Sequence, residues 1–410
     1  MIITRNRIKT AGYAPILGAS MGLMFIRLLL MAKLLPVTEF AELSAALVVS
    51  SVFNTLACVG VFVDLQRRLP VLMARGQNRA AAMNLARAAL LAVALSAIFL
   101  VGAVVAPPYR LVLALGVIQG LSQQLFLIAT TESRSAGNPL RYAMQQLTRS
   151  VLTVPVDIAA ALAFSTAGPV LIADSLAGYL VAALIFLAIS RRTHVPVSLA
   201  SRLAIRSLPK VKWLSMLFLL AYSTFAAMSV QIDRWISTIV LTRTGLATYS
   251  FAWIVMIFAS SLQAIVNASA YPMIARRLAQ RGQASAYRLT LGLSVSFIGV
   301  SALIFWPGLK LSDLAIDRFF PNYAAAKPIV PILTLAAACT LSDFWTSFLV
   351  ITGHERSLLG TSLSAFAIAF GTWYFLFGGH IDLSNLAYLA LGVSTITYLF
   401  TAGRAYLVRH

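Results

Sequence analysis

Apolar residues run along this chain in windows of roughly twenty, each closed by a short polar or basic stretch, from one end to the other. An α-helix rising about 1.5 Å per residue needs a window of that length to cross the hydrocarbon core of a bilayer. The pattern predicts transmembrane helices near residues 11–35, 40–63, 83–106, 108–131, 141–164, 168–189, 213–241, 246–270, 286–306, 327–351, 355–378 and 383–402. The twelve expected spans make the chain an all-α integral membrane protein.

Composition agrees. Of 410 residues, 60% are hydrophobic and 11% charged, and the mean hydropathy is +0.87, which excludes a soluble globular fold. The formal charge of +20 looks like a nucleic-acid signal until the basic residues are placed. If the N-terminus is cytoplasmic, 23 of the 32 Lys and Arg residues fall in loops on that side, beginning with Arg5, Arg7 and Lys9. Short loops retained in the cytoplasm accumulate positive charge, so both termini are expected inside and nucleic acid is not an expected partner. The basic, apolar N-terminus lacks a small-x-small cleavage site and reads as a retained helix. Cys58 and Cys339 lie within spans and the four His are scattered, so neither a disulfide framework nor a metal or other cofactor is expected.

The chain carries a weak internal repeat. A shift of 206 residues brings Leu43-Ser44 onto Tyr249-Ser250, Arg75-Gly76-Gln77 onto Arg281-Gly282-Gln283, and Arg27 onto Asp233, and Gly137 corresponds to Gly353 at a slightly larger offset. The expected organisation is two pseudo-symmetric six-helix lobes, residues 1–190 and 213–410, in parallel topology. Between them lies a basic cytoplasmic linker, residues 191–212, read as an amphipathic segment on anionic membrane lipid.

Charges inside spans are costly and mark functional candidates. Arg27, Arg149 and Arg234 are candidate ligands for a phosphate or pyrophosphate group, because guanidinium pairs with phosphate oxygens through forked hydrogen bonds. Asp157, Asp174, Asp233 and Asp343 are candidates for ion coupling or for structural ion pairs, such as Arg149 with Asp157 or Asp174. Asp233 and Arg234 point about 100° apart on a helix, which disfavours direct pairing. Asp64 and Glu132 sit at span ends and are expected to be solvated, while Gly18 and Gly22 form a G-x-x-x-G that permits close helix packing.

Several stretches carry a family resemblance. Ile232-Asp233-Arg234-Trp235-Ile236 is followed by Gly245, Tyr249-Ser250, Ala252 and Tyr271-Pro272, and a second stretch is Phe319-Phe320-Pro321-Asn322-Tyr323 leading to Gly353-His354-Glu355-Arg356. With Leu35-Pro36, Glu39-Phe40 and Leu43-Ser44 in the first half, the chain resembles the polysaccharide (O-antigen or exopolysaccharide) flippases of the multidrug/oligosaccharidyl-lipid/polysaccharide exporter superfamily. Ala41 stands where many relatives have glycine. The resemblance implies a two-lobed transporter of the bacterial cytoplasmic (inner) membrane. Its cargo would be a polyprenyl-pyrophosphate-linked oligosaccharide, moved to the outer leaflet by alternating access, with polysaccharide assembly proteins as further partners.

Two rivals frame that expectation. A multidrug or cation exporter of the same superfamily should favour acidic over cationic cavity residues. A membrane-embedded glycan polymerase or ligase, an enzyme, should need a large outer loop, whereas the longest outer connection here lies near Pro307–Ala326.

Overall fold

The computed structural model describes residues 13–58, 60–105, 109–211, 213–378 and 380–409; Arg5, Arg7, Lys9 and Lys212 lie outside them. Among these residues the fold is all-helical, and eleven segments are long and apolar enough to cross a membrane. The chain divides into two compact units, Met1–Ala227 and Met228–His410, so the first unit takes in the linker and most of the helix that follows it.

The first unit comprises α1 (Tyr13–Leu34), α2 (Val37–Leu56), α3 (Val61–Ala74), α4 (Asn78–Val104), α5 (Arg110–Ser135), α6 (Pro139–Phe164), α7 (Ala167–Thr193), α8 (Val197–Ser207) and most of α9 (Trp213–Val230). Within it α2 packs on α5, α1 on α6, and α7 on both α5 and α6. Lipid tails are as apolar as leucine, so such helices are joined by close packing of small residues and by polar contacts. Here the close-packing glycines are Gly116 and Gly120 of α5. A Cβ on Gly116 would come within 2.9 Å of the Ala46 carbonyl oxygen, and one on Gly120 within 2.9 Å of that of Ser50, both on α2. Gly18 and Gly22, with the same spacing, face open space and serve no such contact. Gly60, just before α3, has φ 75°, and a Cβ there would lie 2.2 Å from the Met216 carbonyl oxygen of α9.

The linker is helical rather than irregular. α8 carries Arg202 and Arg206 on its exposed side and buries Ala200 and Ala204, with Ala200 packed on Ala82 of α4.

The second unit holds α10 (Ile232–Val240), α11 (Arg243–Phe319), α12 (Val330–Ser342), α13 (Trp345–Ile351), α14 (Glu355–Phe377) and α15 (Leu383–Leu407). Gly282 interrupts α11 with φ 76° and ψ 179°, a conformation open essentially to glycine alone, within a helix that carries two membrane-spanning candidates, Arg243–Asn267 and Met273–Phe319. The chain from Pro307 to Phe319 continues α11 as helix, and a 3-10 helix (Pro321–Ala326) completes the connection expected to be the longest outer one.

The expected span 213–241 is the one outside the eleven. It breaks at Gln231 (φ −120°, ψ 19°) into α9 and α10, two residues before Asp233. The expected span 327–351 also breaks, at Asp343, between α12 and α13.

The repeat read from the sequence has a conformational counterpart. Gly76 and Gly282 have φ 67° and 76°, and Gly137 and Gly353 have φ 66° and 81°. Gly76, Gly137 and Gly353 each close a helix with the same paired hydrogen bonds. In the first, Gly76 N–H donates to Met73 O at 3.1 Å and Gln77 N–H to Leu72 O at 2.9 Å. That left-handed helix stop requires the freedom of glycine.

Candidate functional site

The first unit encloses a cluster of four ionisable side chains. Arg27 of α1 is 4% exposed, and Asp157 of α6 and Asp174 of α7 are fully buried. The Arg27 Nε donates to Asp157 Oδ2, and its Nη2 donates to Asp174 Oδ2 at 2.7 Å. Gln119 of α5 donates to the same Asp174 oxygen and accepts from Ser175 Oγ at 2.7 Å. One guanidinium and one amide thus hold α1, α5, α6 and α7 together. Such partners offset the cost of holding a charge away from water.

Arg149 does not take either carboxylate. Eight residues separate it from Asp157 on α6, a rise of roughly 12 Å, and both acids turn to Arg27 instead. The Arg149 guanidinium lies over the Phe126 ring, 4.7 Å from its centroid, and its Nε has no hydrogen-bond partner among the described residues.

A second cluster forms at the break between α9 and α10. Asp233 falls in the first turn of α10, where the helix dipole favours negative charge. Its Oδ2 accepts from Tyr249 Oη at 2.5 Å and from Trp253 Nε1 at 2.8 Å. Arg234 lies over the ring of the same Trp253, 4.5 Å from the centroid. The two neighbours therefore use different parts of one indole, its N–H and its π face, as their angular separation on the helix requires. Asp233 Oδ1 and Arg234 Nε have no hydrogen-bond partner among the described residues.

Trp253 is the keystone of this cluster, and substitutions separate its two roles. Trp253→Phe deletes the donor and keeps a ring, with an expected cost of about 1–2 kcal/mol. Trp253→Leu removes the ring as well and should cost about 0.5–2 kcal/mol more. Thermal midpoints of the purified variants check the order.

Asp343 has a local structural task. Its carboxylate accepts from Thr346 Oγ1 at 2.8 Å, Thr346 N at 3.3 Å and Thr401 Oγ1 at 3.3 Å, which caps α13 and ties it to α15. Glu132, expected to be solvated, is 6% exposed; it pairs with Arg141 at 2.7 Å and Arg192 at 3.6 Å, joining the ends of α5, α6 and α7. Its place at a span end gives no sign of the two arginines that close over it.

Gln119, Phe126, Tyr249 and Trp253 are site residues that the charge pattern alone does not single out. Tyr249 and Trp253 stand four apart on one helical face, a spacing available as a signal.

Among the described residues, eleven helices long and apolar enough to cross a membrane and charged clusters buried within both units make this a polytopic membrane protein. Comparison with solved structures makes the fold specific. The chain is similar to the MATE multidrug transporter DinF-BH, with a TM-score of 0.65 at 14% identity over 98% of this chain and 95% of that one. It is similar to the eukaryotic MATE transporter AtDTX14, with a TM-score of 0.64 at 12% identity over 99% and 95%. It is also similar to a mutant of the Vibrio cholerae MATE transporter VcmN, with a TM-score of 0.61 at 14% identity over 98% and 97%. No family model and no curated protein sequence matches the chain. The chain has the fold of these MATE transporters.

Proposed function

We propose that this protein is an exporter that moves an amphipathic organic solute across the membrane by alternating access. The observation that carries this reading is the match of 98–99% of the chain to MATE transporters. The multidrug form of the reading has the better support, since the similar structures are MATE transporters and one of them, DinF-BH, is a multidrug transporter by name. Its test is efflux of a fluorescent organic cation, ethidium, from cells or proteoliposomes holding the protein. Efflux several-fold above the empty control supports a multidrug exporter, and no difference removes it.

A specific observation favours a second reading, the lipid-linked oligosaccharide flippase. Buried Arg234 and half-buried Arg149 lay their guanidinium groups on aromatic rings, each with Nε buried and unused among the described residues. Unused donors on fixed cations suit a pyrophosphate and repel an organic cation. On this reading, cells depleted of the protein accumulate polyprenyl-pyrophosphate oligosaccharide on the cytoplasmic leaflet. Arg234→Ala, at normal membrane abundance, should slow flipping by about tenfold or more. Arg234→Lys should be nearly as harmful if the forked geometry matters and milder if charge alone does. Unchanged sidedness on depletion would remove this reading.

A further inference from the structure

Two cavities in the first unit share a wall and differ in chemistry. One, of about 210 Å³, is apolar and lies between α4, α7 and α8, bounded by Leu85, Ala89, Val93, Phe186, Ile189 and Ala200. The other, of about 580 Å³, lies beside it where the turn before α4 meets the end of α7, and Gln77, Asn78, Arg79 and His194 line it. Thr193 and Val195 line both, so the two spaces are contiguous. No acidic side chain lines either of them among the described residues.

The position fits a membrane surface. α4 begins at Asn78 and α7 ends at Thr193, so the polar cavity sits at the ends of two membrane-spanning helices, at headgroup depth, with the apolar cavity one turn deeper. The amphipathic α8 roofs the apolar space through Ala200. His194 adds a second sign of use. It occupies left-handed backbone (φ 54°, ψ 30°) at the end of α7, a position where glycine is the unstrained residue. The His194 imidazole lines the polar cavity from this turn.

We infer that this pair of cavities is a binding site for one anionic phospholipid, with an acyl chain beneath α8 and the phosphate between Arg79 and His194. A free inorganic anion would leave the apolar space unfilled. A zwitterionic lipid would bring a second positive charge to a cavity that has no acidic side chain to receive it. Anionic lipid satisfies both halves, and it pins the connecting helix α8 against α4.

The test uses the purified full-length protein in detergent, titrated with dioleoyl-phosphatidylglycerol or dioleoyl-phosphatidylcholine and followed by native mass spectrometry and thermal unfolding. Phosphatidylglycerol should bind about tenfold tighter than phosphatidylcholine and raise the thermal midpoint further. Arg79→Gln and His194→Gly should each bring the two lipids level. His194→Gly should do so without lowering the lipid-free midpoint, since glycine suits that backbone. Ala89→Phe, which fills the apolar cavity, should weaken both lipids. Equal binding of the two lipids by the wild type, or a preference that survives in both Arg79→Gln and His194→Gly, would overturn the assignment. So would stabilisation by millimolar inorganic phosphate equal to that by phosphatidylglycerol.

Discussion

Arg27→Ala is expected to be the most damaging single substitution in the first unit, costing about 3–5 kcal/mol. The loss is larger than that of an ordinary ion pair because Arg27 serves two fully buried carboxylates, Asp157 and Asp174, which the alanine leaves without their shared counter-charge. Gln119 remains on Asp174, and Asp157 keeps nothing comparable. A rescue is expected on the same grounds. Arg27→Met combined with Asp157→Asn and Asp174→Asn removes the three ion-paired charges and leaves Arg149 on the Phe126 ring, and the triple variant should recover part of the lost thermal midpoint, since replacing a buried ion-paired set is cheaper than breaking it. A triple variant no more stable than Arg27→Ala would show that Arg27 acts through its shape rather than its charge. Transport assays on the rescued protein then ask whether the cluster does more than hold helices together.

The second large effect is expected at Gly60. An alanine there meets two obstacles. Positive φ costs a side chain about 1–3 kcal/mol, and the new Cβ would sit 2.2 Å from the Met216 carbonyl oxygen, a backbone atom that moves only if α9 moves. Gly137→Ala supplies the control, since Gly137 has φ 66° with open space around the added carbon. Both variants carry the backbone strain and only Gly60→Ala carries the clash. The difference between their thermal midpoints therefore isolates the contact between the start of α3 and α9. Equal midpoints would mean that α9 yields freely at this point.

Much of the fold is legible in the sequence because lipid imposes a simple rule: each span needs a continuous apolar window. The breaks are another matter. Trp213–Leu241 holds no proline and no glycine, so nothing in it announces that the helix stops at Gln231, and the polar contacts of Asp233 with Tyr249 and Trp253 lie on a different helix. The glycine stops are the reverse case, since Gly76, Gly137, Gly282 and Gly353 are punctuation that a pattern can find, and all four have positive φ.

The site is legible in its charges and hidden in its partnerships. Arg27, Asp157 and Asp174 stand out one by one as ionisable residues in apolar spans. Their union depends on helices whose contact residues lie 130 and 147 positions apart, a distance over which periodicity carries no information. Arg149 and Asp157 share one helix, which makes them the natural pair on paper, yet the rise along that helix keeps them apart. Gln119 looks like any other glutamine in α5 until Asp174 is placed beside it.

On the exporter reading proposed above, the balance of the Arg27 cluster bears on how transport responds to voltage. Arg27 and Arg149 are matched in number by Asp157 and Asp174, so in their ionised forms the four sum to zero. A rearrangement that shifts such a cluster as a body through the electric field of the membrane carries no gating charge, whereas each uncompensated charge would couple to the field by about 2.3 kcal/mol per 100 mV. Movement of this cluster is then electrically silent, and any current that accompanies transport belongs to the cargo, its counter-ion or charges elsewhere in the chain.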